Sequence, residues 1–505
     1  MIYNYKVIFI RGVYMSADNK LSSGKKILSV FAGAFLAAFL WRARGTHGFG
    51  SSWGLFCVAT CMTLLIFGFY GNRAKIKYEL LPVGTLMMGL TVPGWGIVNQ
   101  LMGGIIPVSV KNPIVEEIPD AAEINGFHGL FLMLMTGFAL VCLYGIFVGT
   151  LFSVKEYKLW HYAVFVLVFF AVSYAAKLTF SHSLIRIIAP EIVDSFKNGL
   201  ASRGLSQTVK ECYISNILNT SAMKKIPFGR AYAESIEHIS YCFSSLSLIV
   251  FTLIAFRDKI TALVSFVINL FATVGITVSD VFNINKYSGN GSILKNVNLP
   301  SFLNITSWSL WELFTGFFIG FGIMLIIALL PDTYTSGKKY RSESLFNHKP
   351  VRFIYHFLFT AGFGLLAVPV RAFGLRLADT LEGFGVITEK MNDTVSYIII
   401  AVCGIIAAVP VFLVLKKNIL DKNLPVPVRS KPHIFSLKIM PAYILLIFIF
   451  FLLPDPELIN YVKGIKNIPA ATILPDNIAL ILSVCAFIMF MVIYLPVRKR
   501  LLSHR

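Results

Sequence analysis

Charged residues are scarce in this chain. Asp, Glu, Lys and Arg make up 14% of its 505 residues, against about a quarter in a soluble globular protein. Acidic residues are the scarcest, 25 against 45 basic ones. So little charge, with 56% hydrophobic residues and a mean hydropathy of +0.73, excludes an ordinary soluble domain. The expected fold is all-α: a polytopic integral-membrane helix bundle of about 12 transmembrane helices. Cysteine is also rare. The seven present are scattered, six of them in or beside apolar runs and only Cys212 in a loop, which leaves no basis for a disulfide framework. Neither Cys-x-x-Cys nor His-x-x-x-His spacing occurs, so structural zinc is not expected. Also missing are a phosphate-binding loop ending in Gly-Lys-Ser/Thr and a His-Glu-x-x-His helix, so no nucleotide or zinc-protease chemistry is signalled and no cofactor is expected.

Hydropathy places spans near 27–45, 51–70, 80–101, 127–152, 159–180, 239–256, 260–278, 309–330, 351–371, 395–415, 439–453 and 478–495. The net charge of +20 would suggest nucleic acid in a soluble protein, but here the basic residues lie in short loops between spans. That pattern reports topology. With the N-terminus inside, every inner segment is basic, from Lys25 and Lys26 through Lys155 and Lys158 to Arg498, Lys499 and Arg500. The outer loop after the third span instead carries Glu116, Glu117, Asp120 and Glu123 against Lys111. Both termini are therefore expected in the cytoplasm, with the protein in the cell (inner) membrane.

The expected organisation is a cytoplasmic segment 1–26, five spans in 27–180, an extracytoplasmic loop 181–238, seven spans in 239–495 and a basic tail 496–505. The mixed pattern of Leu184-Ile185-Arg186-Ile187-Ile188 predicts amphipathic helices in the outer loop. No cleavable signal peptide is expected, and Met15-Ser16-Ala17-Asp18-Asn19-Lys20 reads as a second possible start.

The main candidate site is Leu40-Trp41-Arg42-Ala43-Arg44-Gly45-Thr46-His47-Gly48-Phe49-Gly50. Only fifteen uncharged residues, Ile27 to Trp41, separate Lys26 from Arg42, whereas a helix needs about 20 to cross a hydrocarbon core. Either the helix ends short or the arginines lie inside, where ionisable groups are costly and functional. A guanidinium there suits carboxylate, phosphate or sulfate, while snorkelling or an internal ion pair accounts for it without a ligand. The third span, Leu81 to Gln100, contains Pro82, Pro93, Gly84, Gly89, Gly94 and Gly96. It is expected to break and to expose Trp95, Asn99 and Gln100 to a cavity.

Glu312 opens the eighth span and could pair with Arg371 or Arg42. Gly316, Gly320 and Gly322 below it read as a packing face. His128, His161 and His356 read as satisfied residues near span ends. Ala32–Gly45 aligns without gaps to Ala361–Gly374, both ending in Arg-Ala-x-Gly, as an internal repeat or a small-residue coincidence would.

The twelve-span layout is similar to that of the major facilitator superfamily, but Gly71-Asn72-Arg73-Ala74-Lys75 lacks the acidic residue of that family's loop motif. The long outer loop and outer arginines resemble membrane glycan polymerases and ligases without sharing a motif. The leading expectation is a transporter or flippase for a polar anionic solute or lipid-linked glycan, its site formed by the first, third, eighth and ninth spans: Arg42, Arg44, His47, Trp95, Asn99, Glu312 and Arg371. The alternatives are an integral-membrane glycan or acyl transferase using His47 or an outer carboxylate as base, and a non-catalytic scaffold. Membrane lipids and the anionic or lipid-linked substrate are the expected partners, and nucleic acid is not.

Overall fold

Apolar runs of this length fold as helices because hydrocarbon cannot satisfy an open backbone. The computed structural model describes residues 22–46, 52–71, 74, 76, 80–90, 126–217, 220–223, 225–287, 308–331, 348–416, 432–454 and 470–503. Among these there are helices and no strands. Ten helices are long and apolar enough to cross a membrane, and two shorter apolar helices, Gly54–Tyr70 and Leu80–Gly89, stand where the second and third spans are expected.

We number the elements α1 (Ser23–Thr46), α2 (Ser52–Tyr70), α3 (Leu80–Gly89), α4 (Gly126–Ala139), α5 (Cys142–Phe152), α6 (Leu159–Leu178), α7 (Ser181–Ile188), α8 (Pro190–Ser202), α9 (Val209–Ser215), α10 (Thr220–Met223), α11 (Gly229–Ala255), α12 (Lys259–Tyr287) and α13 (Trp308–Leu329). α14 (Lys349–His356) then runs through a π-helical stretch, Phe357–Val370, into α15 (Arg371–Gly383), followed by α16 (Glu389–Leu415), α17 (Pro432–Leu452) and α18 (Ala470–Ser503).

Several ends differ from the hydropathy reading. α1 does not end short: it carries Arg42 and Arg44 in its last turns. The fourth span is two helices, α4 and α5, broken at Leu140–Val141. α11 begins at Gly229, ten residues before the expected 239, and α18 continues through most of the basic tail to Ser503. Polar side chains at these ends do not stop a helix whose backbone bonds are already made.

One large core joins α1–α6, α11–α13, the π-helical stretch and α15–α18. A second, smaller core builds the cap: α7–α9 bury Ile185, Ile192, Phe196 and Tyr213 against Leu132 of α4 and Tyr232 and Ile236 of α11. The amphipathic helices of segment 181–238 thus cover one end of α4 and α11, and His128 Nδ1 meets Glu191 Oε1 at 2.8 Å to join α4 to the cap. Cys212 lies not in a loop but on α9, fully buried. On α16, Tyr397, Ile398, Val402, Ile405, Ile406 and Val409 are exposed, an exterior suited to hydrocarbon and not to water.

Candidate functional site

α1 and α13 form the most extensive helix pair among the described residues. They run antiparallel, and small residues set how close they come. Gly316 stacks on the Ala37 carbonyl and Gly320 on the Gly33 carbonyl, with no room for a methyl group at either glycine. Gly322 faces Phe271 of α12 in the same way, so the three glycines do form packing faces.

The antiparallel register brings the C-terminal end of α1 against the N-terminal end of α13. Arg42 and Arg44 lie where a helix dipole is negative, and Glu312 lies where it is positive, so each charge also suits its own helix. Arg44 and Glu312 meet there. Arg44 Nη2 donates to both carboxylate oxygens, at 2.7 Å to Oε1 and 2.6 Å to Oε2. The Glu312 carboxylate lies directly over Gly45, occupying the space that a Cβ would take. The Arg44 guanidinium also sits 5.0 Å from the Trp41 ring, one turn back on the same helix. Arg42 and Arg44 are both 0% exposed, and Arg42 is near enough to act electrostatically on Glu312.

The structure therefore brings together Arg42, Arg44 and Glu312 of the expected site and adds Trp41 and Gly45. Glu312 bonds Arg44 and not the expected Arg371 or Arg42. Arg371 is exposed, at the junction of the π-helical stretch and α15. His47, Trp95 and Asn99 lie outside the described residues. α3 ends at Gly89, four residues before Pro93.

The four spans expected to share one site form two contacts. α1 pairs with α13, whereas α3 packs on the π-helical stretch, and α2 touches α1, α3 and that stretch. At the second contact the bonding groups are hydroxyls. Thr60 and Thr85 Oγ1 lie 2.9 Å apart, Tyr443 Oη donates to the Thr360 carbonyl at 3.1 Å, and Gly364 leaves room for both Thr60 and Tyr443. The two segments of the internal alignment also differ in backbone: 32–45 is α-helical, while 361–370 is π-helical before α15 begins.

An open cleft of about 890 Å³ between α15 and α16, lined in part by Arg376, Asp379, Glu382, Glu389, Lys390 and Asp393, has no counterpart in the sequence reading. Four of those residues are acidic, in a chain otherwise poor in acid. No group of three or more His, Cys, Asp or Glu side chains among the described residues is arranged to hold a metal ion.

Comparison with known proteins finds no match: no family model, no curated protein and no solved structure matches this chain.

Proposed function

We propose that this chain is a multi-pass transporter or flippase for a polar, anionic solute or lipid-linked glycan, with both termini on the cytoplasmic side of a cell membrane. The observation that carries the reading is the pair of fully buried guanidinium groups, Arg42 and Arg44, at the end of the most extensive helix pair among the described residues, which hold ten candidate spanning helices. Ionisable groups buried beside an apolar core are costly unless they are paired, as Arg44 is with Glu312, and within spans they commonly mark substrate or ion paths. The Arg44–Glu312 bond suits an exchangeable partner: one nitrogen serves both carboxylate oxygens, so a substrate phosphate or carboxylate can replace Glu312 on the same guanidinium. The hydroxyls at Thr60, Thr85 and Tyr443 supply neutral hydrogen-bonding groups of the kind a sugar or polar solute requires.

The test is transport by the purified full-length protein in liposomes, with a fluorescent prenyl-diphosphate-linked disaccharide and a panel of small organic anions as probes. Arg44→Lys keeps the charge but loses the planar donors, and should cut transport at least tenfold while protein yield stays near wild type. Full activity in an Arg42→Ala/Arg44→Ala double variant would reduce the arginines to structural anchors. Impermeant labelling of single cysteines checks orientation: reagent applied outside should reach the 181–228 region and leave 417–431 unlabelled.

A further inference from the structure

The fourth apolar span breaks at its centre, and what faces the break is unusual. α4 ends at Ala139 and α5 begins at Cys142, with Val141 at φ −127° and ψ 21°. Leu140 N–H bonds to Gly137 O at 3.2 Å, and Gly145 N–H to Val141 O at 2.8 Å. Such a break removes the last carbonyls of one helix and the first N–H groups of the next from the regular ladder, a cost tolerated at membrane depth only where something polar repays it.

α12 supplies a polar stripe along this span. Gly149 packs on Thr261, Gly145 on Ser265 and Gly137 on Thr273, an antiparallel register in which each step of four residues back on α4–α5 is a step of four forward on α12. One step on from Gly145 and Ser265, that register sets the break residue Val141 opposite Asn269. The Asn269 side chain is 0% exposed, and neither its Oδ1 nor its Nδ2 has a hydrogen-bond partner among the described residues. Around it, Ser265 Oγ lies 3.5 Å from the Cys142 carbonyl, and the Cys142 thiol, next to Asn269, points at the Ser245 carbonyl at 3.8 Å. Asn269 lies ten residues into α12, about 15 Å along the helix, which is the middle of a span.

We propose that the α4–α5 break and Asn269 form a sodium-ion site at the centre of the bundle. Asn269 Oδ1, Ser265 Oγ and carbonyl oxygens released at the break are neutral, hard oxygen ligands. Unwound helix carbonyls facing hydroxyl and amide oxygens suit a small monovalent cation, whose charge they can meet without a carboxylate. A divalent ion would call for carboxylates. The site is separate from Arg42 and Arg44, and its occupancy does not depend on the anion reading.

The full-length protein in detergent is heated in sodium, potassium or choline chloride at equal ionic strength, and loss of the folded species is followed. Sodium alone should raise Tm by a few degrees, saturably, because a ligand of the folded state stabilises it by mass action. Saturable binding of ²²Na⁺ to the same sample should accompany the rise. Asn269→Ala should remove both effects, and Ser265→Ala should weaken sodium affinity several-fold. Should Asn269→Ala fail to fold, Asn269→Asp keeps the size and an oxygen ligand, adds charge, and should tighten sodium binding at least several-fold. Equal Tm values in the three salts, an equal rise in potassium, absent ²²Na⁺ binding, or a sodium response unchanged in the Asn269 and Ser265 variants would each overturn the site.

Discussion

Two antiparallel seams in this protein use the same packing rule and end differently. In α1 against α13, glycines at 316 and 320 meet backbone at Ala37 and Gly33, and the seam closes on a charged pair, Arg44 with Glu312. In α4–α5 against α12, glycines at 137, 145 and 149 meet Thr273, Ser265 and Thr261, and the seam shows no ion pair among the described residues but breaks in its middle opposite an amide. Close approach is achieved by the same small residues in both. What differs is where polarity is placed: at the end of the first seam, where two helix dipoles support it, and at the centre of the second, where only a broken helix offers it partners. The first arrangement should resist change and the second should respond to it.

Breaking the charged end should have the largest effect. Glu312→Ala leaves Arg44 buried with its bonded carboxylate gone, and removing one partner of a buried pair costs about 3–5 kcal/mol. The melting temperature and the yield of folded protein should both fall sharply. Arg44→Met combined with Glu312→Leu removes both charges and should recover most of that loss, while transport stays abolished. Recovery of transport together with stability would make the pair purely structural.

Next in size is the seam itself. Gly320→Leu forces a side chain into the Gly33 backbone and should cost about 1–3 kcal/mol or more through overpacking. A shift of similar size is expected for Gly149→Leu, where the obstacle is the Thr261 backbone. Thermal unfolding of the two variants side by side tests whether the seams are equally tight.

These contrasts were unevenly legible in the sequence. Arg42, Arg44 and Glu312 stood out because ionisable residues beside apolar spans are rare, while Pro93 and its neighbouring glycines, which the sequence reading made the break of the third span, lie outside the described residues. The α4–α5 break had no such signal: Leu140-Val141-Cys142 is continuous apolar sequence without proline or glycine, and only packing against α12 reveals the interruption. Asn269 could have been found from the spacing of Thr261, Ser265, Asn269 and Thr273, four residues apart on one helix face. The π-helical backbone was equally unannounced, since Gly362, Gly364 and Pro369 are compatible with an ordinary kinked helix.

A smaller effect separates the cap from both seams. His182 is buried in the cap with Nδ1 2.7 Å from Tyr232 Oη, facing the ring of Tyr213 and near the charges of Lys210 and Arg186. Burial, opposed by a hydrogen bond to the Lys177 backbone and helped by those cations, holds its imidazole down to about 4 from the ordinary 6.5. The unfolded chain therefore takes up a proton that the folded cap refuses. The stabilisation is complete above about pH 6.5 and is lost as pH falls toward 4. Hydrogen exchange in α7–α9 should quicken over that window while α1 and α13 change little. His182→Gln should flatten the response, and an unchanged profile in that variant would assign the pH dependence elsewhere.

The smallest expected effect isolates what glycine does in the seams. A Cβ on Gly362 would have its nearest neighbour, the Phe357 carbonyl oxygen, 3.6 Å away, an ordinary contact. Gly362→Ala should therefore leave stability unchanged or raise it by up to about 1 kcal/mol through reduced freedom of the unfolded chain. Gly320→Ala should lower it, because even one methyl group meets the Gly33 carbonyl oxygen. If the two alanine variants melted at the same temperature, glycine would be acting through backbone freedom and not through helix spacing, and the likeness between the two seams would lose its physical basis.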